Sequence, residues 1–215
     1  MPKPMFVWSG SAWVSVASEV ESLAGFATQS YADNVPGMKL IVPSSISVGS
    51  GSGSVATQGT VSFSGASSVS INDVFSTTYD KYLLQWSFSG STSLNVLFRY
   101  RVSGSDNSTT NYYTAGLSNG WSGASTSYYN SGSGQTSWTM IPTGSSAETN
   151  GSYVISDPFV AKKTHIFGNW SRGTGGEIAI TGNVFDVNTS FTGFSLITST
   201  GTITGNVRIY GYKAG

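Results

Sequence analysis

Cysteine is absent from this chain, so neither a disulfide framework nor a thiolate metal site can hold it together. Histidine occurs once, at His165, in a stretch that reads as a strand. A catalytic triad needs a nucleophile and an orienting acid around its base, and a lone strand histidine is read here as a packed residue. Charge is scarce too. Only 9% of the 215 residues are Asp, Glu, Lys or Arg, against about 25% in ordinary globular domains. Ten basic and ten acidic residues balance to a formal net charge of zero, and Lys162-Lys163 is the longest basic run. A nucleic-acid groove or an anionic-membrane patch needs clustered cations, so neither partner is expected. No apolar run approaches the ~18 residues of a membrane-spanning helix, and the opening MPKPMFVWSGSAW has no apolar core of a secretory signal.

Catalytic motifs are equally thin. Gly116-Leu117-Ser118-Asn119-Gly120 matches G-x-S-x-G in letters, but a nucleophile elbow needs a strand before it and a helix after it. Here the surroundings are Gly and Ser. Glycosidases need two facing carboxylates. Asp73, Asp80, Asp106, Glu148, Asp157, Glu177 and Asp186 are scattered, and no spacing brings two together. Asp106-Asn107 has the atoms to bind a calcium ion with loop carbonyls, though an Asx-turn accounts for the pair more simply. We therefore expect no catalytic residue, no metal and no cofactor, and a protein that is not an enzyme.

What is present is aromatic and glycine-rich: eleven Tyr, eleven Phe, six Trp and 27 Gly. That is enough apolar mass for a core despite the low charge, which argues against disorder. The clearest element is Leu94–Val102. Leu94, Val96, Phe98, Tyr100 and Val102 fall on alternate positions, with Asn95, Arg99 and Arg101 between them. This is the two-residue period of a strand with one buried face. Leu97 interrupts the polar face, which makes Arg99 and Arg101 candidate contacts to another subunit.

From residue 59 onward the formula repeats: short alternating strand, Gly/Ser/Asn turn, aromatic. Strands are expected at Thr60–Ser64, Ser68–Ile71, Tyr82–Ser89, Leu94–Ser103, Tyr112–Ala115, Thr136–Ile141, Ser152–Phe159, Lys163–Trp170, Glu177–Thr181, Phe191–Ser199 and Thr202–Tyr212. Many short strands without intervening helices predict an all-β fold, an antiparallel β-sandwich of jelly-roll type, over 59–215. The segment 116–135 reads as a long loop. Its Trp121, Tyr128 and Tyr129 are candidate contacts to a sugar or protein ligand, because such rings combine apolar area with a polar handle.

The N-terminal 45 residues read as an attachment segment. Phe6-Val7-Trp8 and Ala12-Trp13-Val14 flank Ser9-Gly10-Ser11 as a small hairpin whose Phe6, Trp8 and Trp13 are candidate contacts to another subunit or partner, or to the chain's own β-domain. One helix is expected over residues 18–33, from the capping pair Ser18 and Glu21 to Pro36-Gly37. Its narrow stripe of Val16, Val20, Leu23 and Ala27 needs a partner, either other copies of the helix or the β-domain; Val20, Leu23 and Ala27 are therefore candidate oligomer contacts. Lys39–Pro43 reads as a short strand, and 46–58, with its Gly-Ser repeats, as a flexible linker.

Three stretches resemble structural proteins of tailed bacteriophages. The opening MPKPMFVWSGSAWVSVA looks like the Trp-turn-Trp start of tail-fibre and minor virion proteins. INDVFSTTYDKYLLQWSFSGSTSLNVLFRYRVSGSDNSTTNYY resembles their β-domains, as does the ending GFSLITSTGTITGNVRIYGYKAG. The family shares no catalytic residues. The resemblance implies a virion component, commonly a homotrimer, joined to other virion proteins by its N-terminus and presenting a distal β-domain, with a host-surface glycan as a candidate ligand. A tail fibre or tail-tip protein is the first expectation; a capsid decoration or head-fibre protein is the alternative. Its place would be the extracellular particle, assembled in the host cytoplasm.

Overall fold

The computed structural model describes residues 6–8, 10–11, 13–15, 37–120, 127–130, 134–143, 147–173 and 176–212. The chain divides into two compact units, one holding Met1–Gly37 and the other Met38–Ala214. In the first, β1 (Phe6–Trp8) and β2 (Trp13–Ser15) form an antiparallel hairpin in which Trp8 is the partner of Trp13. This is the hairpin that the Trp-turn-Trp spacing predicts. The expected helix over 18–33, with Val20, Leu23 and Ala27, lies outside the described residues.

The second unit is built of strands. They are β3 (Met38–Leu40), β4 (Ser45–Val48), β5 (Ser52–Val55), β6 (Val61–Ala66), β7 (Ser68–Asn72), β8 (Lys81–Gly90), β9 (Leu94–Val102), β10 (Ser105–Asp106), β11 (Tyr112–Gly120), β12 (Ser127–Asn130), β13 (Trp138–Thr143), β14 (Glu148–Ser156), β15 (Lys162–Arg172), β16 (Glu177–Thr189), β17 (Gly193–Thr198) and β18 (Ile203–Tyr212). No helix occurs among the described residues. All pairings are antiparallel and make two sheets. The larger runs β12-β11-β16-β15-β14-β8-β18-β6-β5, with β3 sharing the edge of β18 beside β6. The smaller runs β10-β9-β17-β7-β4, with β13 also on β9.

The strand order is that of a jelly roll. Taking β6, β7, β8, β9, β13, β14, β17 and β18 as eight successive strands, one sheet contains the first, eighth, third and sixth, and the other the second, seventh, fourth and fifth. Two interlocked Greek keys give this order. The strands β15, β16, β11 and β12 extend the larger sheet beyond β14.

The sheets meet over an aromatic core. On β9, Leu94, Val96, Phe98 and Tyr100 are buried as their alternation predicts, while Val102 is 37% exposed because the strand ends there in a turn. Phe98 stacks on Phe194 with centroids 5.0 Å apart, and Tyr100 on Phe191 at 4.2 Å. Tyr100 also meets Phe185 of the opposite sheet edge-on at 6.1 Å. The turn after β9 is a two-residue hairpin. Ser103 and Gly104 both have positive φ, 49° and 78°, the combination that matches strand twist.

Residues 46–58 correct the expectation of a linker, for they carry β4 and β5, paired to β7 and β6. Their glycines are there for close approach. A Cβ on Gly51, whose φ is +69°, would overlap the carbonyl of Ser64, and one on Gly49 would overlap the Ser68 hydroxyl. The supposed loop 116–135 is likewise partly strand: residues 116–120 continue β11, and 127–130 form β12.

Candidate interaction surface

Strand alternation divides the larger sheet into a core face and an outer face. On β15, Thr164, Ile166 and Trp170 point into the core; on β16, Ala179, Thr181, Asn183 and Phe185 do; on β11, Tyr112, Thr114 and Ser118. The residues between them make the outer face. Polar side chains are the usual occupants of such a face, but here Phe167 is 64%, Ile178 52%, Ile180 50%, Leu117 41% and Tyr113 38% exposed. Register brings them together. Leu117 lies across from Ile180, Tyr113 from Val184, and Phe167 from Gly182, whose other neighbour is Ala115. On the far side Phe167 faces Val154 of β14. The result is an apolar field centred on β16 and β11, which Phe167 of β15 and Val154 of β14 extend, with His165, Asn169, Ser171 and Asn119 as polar members of the same face. At its centre Gly182 leaves a gap, since a Cβ there would meet nothing within 4 Å.

Toward β18 the same face turns polar. Gln85 and Ser87 of β8, Asn150 of β14, and Asn206 and Arg208 of β18 line an open cleft of about 250 Å³. The Ser87 hydroxyl donates to Glu148 Oε1 at 3.1 Å, and Arg208 Nε donates to Thr60 Oγ1 at 3.1 Å. Among the described residues the side-chain amides of Gln85 and Asn206 make no hydrogen bond.

Most of the carboxylates singled out in the sequence have structural partners. Asp106 pairs with Arg101 and accepts from Ser195 Oγ at 2.7 Å. Lys162 pairs with Asp157 at 2.7 Å, Lys163 with Asp186 at 2.5 Å and Arg172 with Glu177 at 2.9 Å. Asn107 Oδ1 accepts from the Thr109 amide at 3.0 Å and from its hydroxyl at 2.6 Å, which is the Asx-turn. Among the described residues no group of three His, Asp or Glu is placed to hold a metal ion. Ser118 of the G-x-S-x-G match sits on the core face of a strand, 4% exposed, and not on an elbow. His165 is on the outer face, across from Val184 and Ser156.

The expected contact residues fare differently. Trp121 lies outside the described residues. Tyr128 and Tyr129 fall in β12, opposite Leu117 and Gly116, so Tyr128 stands at the register position bordering the apolar field. Arg101 donates to Asn72 Oδ1 and Ser70 Oγ, each at 2.9 Å, besides Asp106, so its guanidinium is engaged within the chain. Arg99 Nε donates to the Thr136 carbonyl at 3.0 Å. Sequence reasoning missed the apolar field itself. The signal was there in Ile166-Phe167 and Ile178-Ala179-Ile180, where apolar residues occupy both faces of a strand instead of one.

No protein-family model and no curated protein matches the chain. Among solved structures, it is similar to a protein of unknown function from Shewanella oneidensis MR-1, at 8% identity and a TM-score of 0.24 over 82% of this chain and 79% of the other. It is also similar to domain 4 of AbnA, a GH43 extracellular arabinanase from Geobacillus stearothermophilus solved with arabinotriose, at 16% identity and a TM-score of 0.28 over 83% of each chain. Likenesses this small carry no argument about function. The strand order and its two-sided sheet stand on their own as an antiparallel β-sandwich.

Proposed function

We propose that this chain is a non-enzymatic structural protein of a tailed-phage virion, a tail-fibre or tail-tip component that contacts the host surface and works as a homotrimer. The observation that carries the reading is the divided outer face of the larger sheet. An apolar field of this kind marks a surface that is covered in use. The amide-lined cleft beside it suits a neutral polar ligand such as a host-surface glycan, because amide and guanidinium groups match pairs of sugar hydroxyls. The carboxylates point the same way: most are tied into ion pairs and turns that hold strands together. The sequence resemblance supplies the virion. In this reading the β1–β2 hairpin, with Phe6, Trp8 and Trp13, joins the chain to other virion proteins.

Quantitative mass spectrometry of purified particles tests the proposal. The chain is expected in the particle at far fewer copies than the major capsid protein, and the purified protein is expected to slow adsorption of particles to the host. Copies approaching those of the capsid lattice would move it to a decoration or head-fibre role, and absence from the particle would sink the proposal.

A further inference from the structure

We infer that the apolar field on β15, β16 and β11 is the surface through which copies of this chain associate, Phe167 of one copy seating in the gap over Gly182 of the next. This names the contact surface of the oligomer proposed above and rests on that reading for the oligomer alone.

Three observations commit the field to a second copy. The first is shape. Phe167, the most exposed large apolar side chain of the described residues, stands in register beside Gly182, whose missing side chain leaves open space on the same face. A projecting ring and an empty place side by side let each copy give a ring to one neighbour and take one from another, as head-to-tail contacts around a closed ring of identical subunits do. The second is charge. The ion pair Lys163–Asp186 joins β15 to β16 at one end of the outer face, so its charges are matched within one chain, while Arg172–Glu177 at the other end of these strands has the parity of the core face. A charged partner finds nothing to complement there, whereas an equally uncharged face does. The third is size. Four outward positions on each of β15, β16 and β11, with strands about 4.8 Å apart and outward residues about 6.8 Å apart along each, cover on the order of 400 Å² in projection. With the polar positions around it as rim, the face approaches the ~800 Å² per partner of a standard interface, in the usual arrangement of apolar centre and polar edge.

The test is the mass of the full-length protein by light scattering over a range of concentrations, with a thermal melt of every variant. Wild type is expected to form an oligomer. Phe167→Asp and Ile180→Asp place a charge on exposed positions, so they should fold and self-associate at least about tenfold more weakly. Gly182→Val fills a gap that is empty within one chain, so it should melt no lower than wild type and yet associate as weakly as Phe167→Asp. Ser47→Asp, exposed on the smaller sheet, should assemble as wild type does. A monomeric wild type would overturn the inference, as would oligomers that form equally well in Phe167→Asp and Gly182→Val, for instance through the first 37 residues. A chain that is monomeric yet present in particles defeats this inference and spares the virion role. A chain that is absent from particles yet oligomeric through this face does the reverse.

Discussion

Two neighbouring tyrosines in the core differ by one hydrogen-bonded oxygen. The Tyr112 hydroxyl donates to the Asn107 carbonyl at 2.7 Å and accepts the Tyr100 amide at 3.1 Å, tying β11 to the turn after β10. The Tyr100 hydroxyl is buried without a hydrogen-bond partner among the described residues. Removing a satisfied buried partner costs about 1–3 kcal/mol, because groups are left orphaned; removing an orphan costs nothing of the kind. Tyr112→Phe should therefore lower the melting temperature by several degrees, while Tyr100→Phe should leave it unchanged or raise it. A drop in Tyr100→Phe as large as that in Tyr112→Phe would disprove the distinction. The same pair predicts an alkaline limit. Burial pushes both phenols above the ordinary value of 10.0, with the Tyr100 amide and Arg99 pulling Tyr112 part of the way back. The folded chain then holds these protons more tightly than the unfolded chain. The associated stability is complete below about pH 10 and is lost as pH rises from there through the folded values. Urea titrations from pH 8 upward should show stability falling above about pH 10, and falling less steeply in Tyr112→Phe.

Single glycines decide what the strands of the larger sheet can tolerate. On β14, Gly151 lies between Trp86 of β8 and Trp170 of β15. A Cβ there would overlap the Trp86 ring and come within 2.6 Å of the Asn169 carbonyl. Gly151→Val should cost more than about 2 kcal/mol by overpacking, read as a lower denaturant midpoint, whereas Gly182→Val two strands away should not. This difference also marks the limit of what the sequence made legible. Alternating strands such as Leu94–Val102 announced themselves, and every strand expected from Thr60 onward corresponds to one in the structure. β4 and β5 did not, because glycine that admits a neighbouring backbone has the same letter as glycine that confers flexibility. The interaction surface was missed for a related reason. Attention to aromatics in loops favoured Trp121, Tyr128 and Tyr129, while the informative feature was apolar residues on both faces of β15 and β16.

Over the whole molecule, the field and the cleft share one side of one sheet, but they have different origins in the chain. The cleft is made by β8, β14 and β18, which belong to the eight strands of the jelly roll. The field lies on β11, β15 and β16, which enter between those strands at two separate places and pair with one another. Substitutions in the field should therefore alter assembly without altering the cleft. Phe167→Asp is expected to weaken self-association at least about tenfold and leave the monomer's melting temperature within a few degrees of wild type. A variant that unfolds instead would show that the field supports the core from outside.

The position of β18 has a further consequence, in time. It is the last of the eight strands to be synthesised, yet it lies inside the larger sheet, with β6 on one side and β8 on the other. A ribosome that has already delivered Trp86 must still make everything up to Val207 before the two can pair. Until then the edges of β6 and β8 that β18 will occupy are unpaired, and the aromatic core beneath them is open on that side. The growing chain thus carries two sticky edges for most of its own synthesis. A chain halted before Ile203 should be found in aggregates or bound to chaperones, while one that has cleared Tyr212 should resist protease.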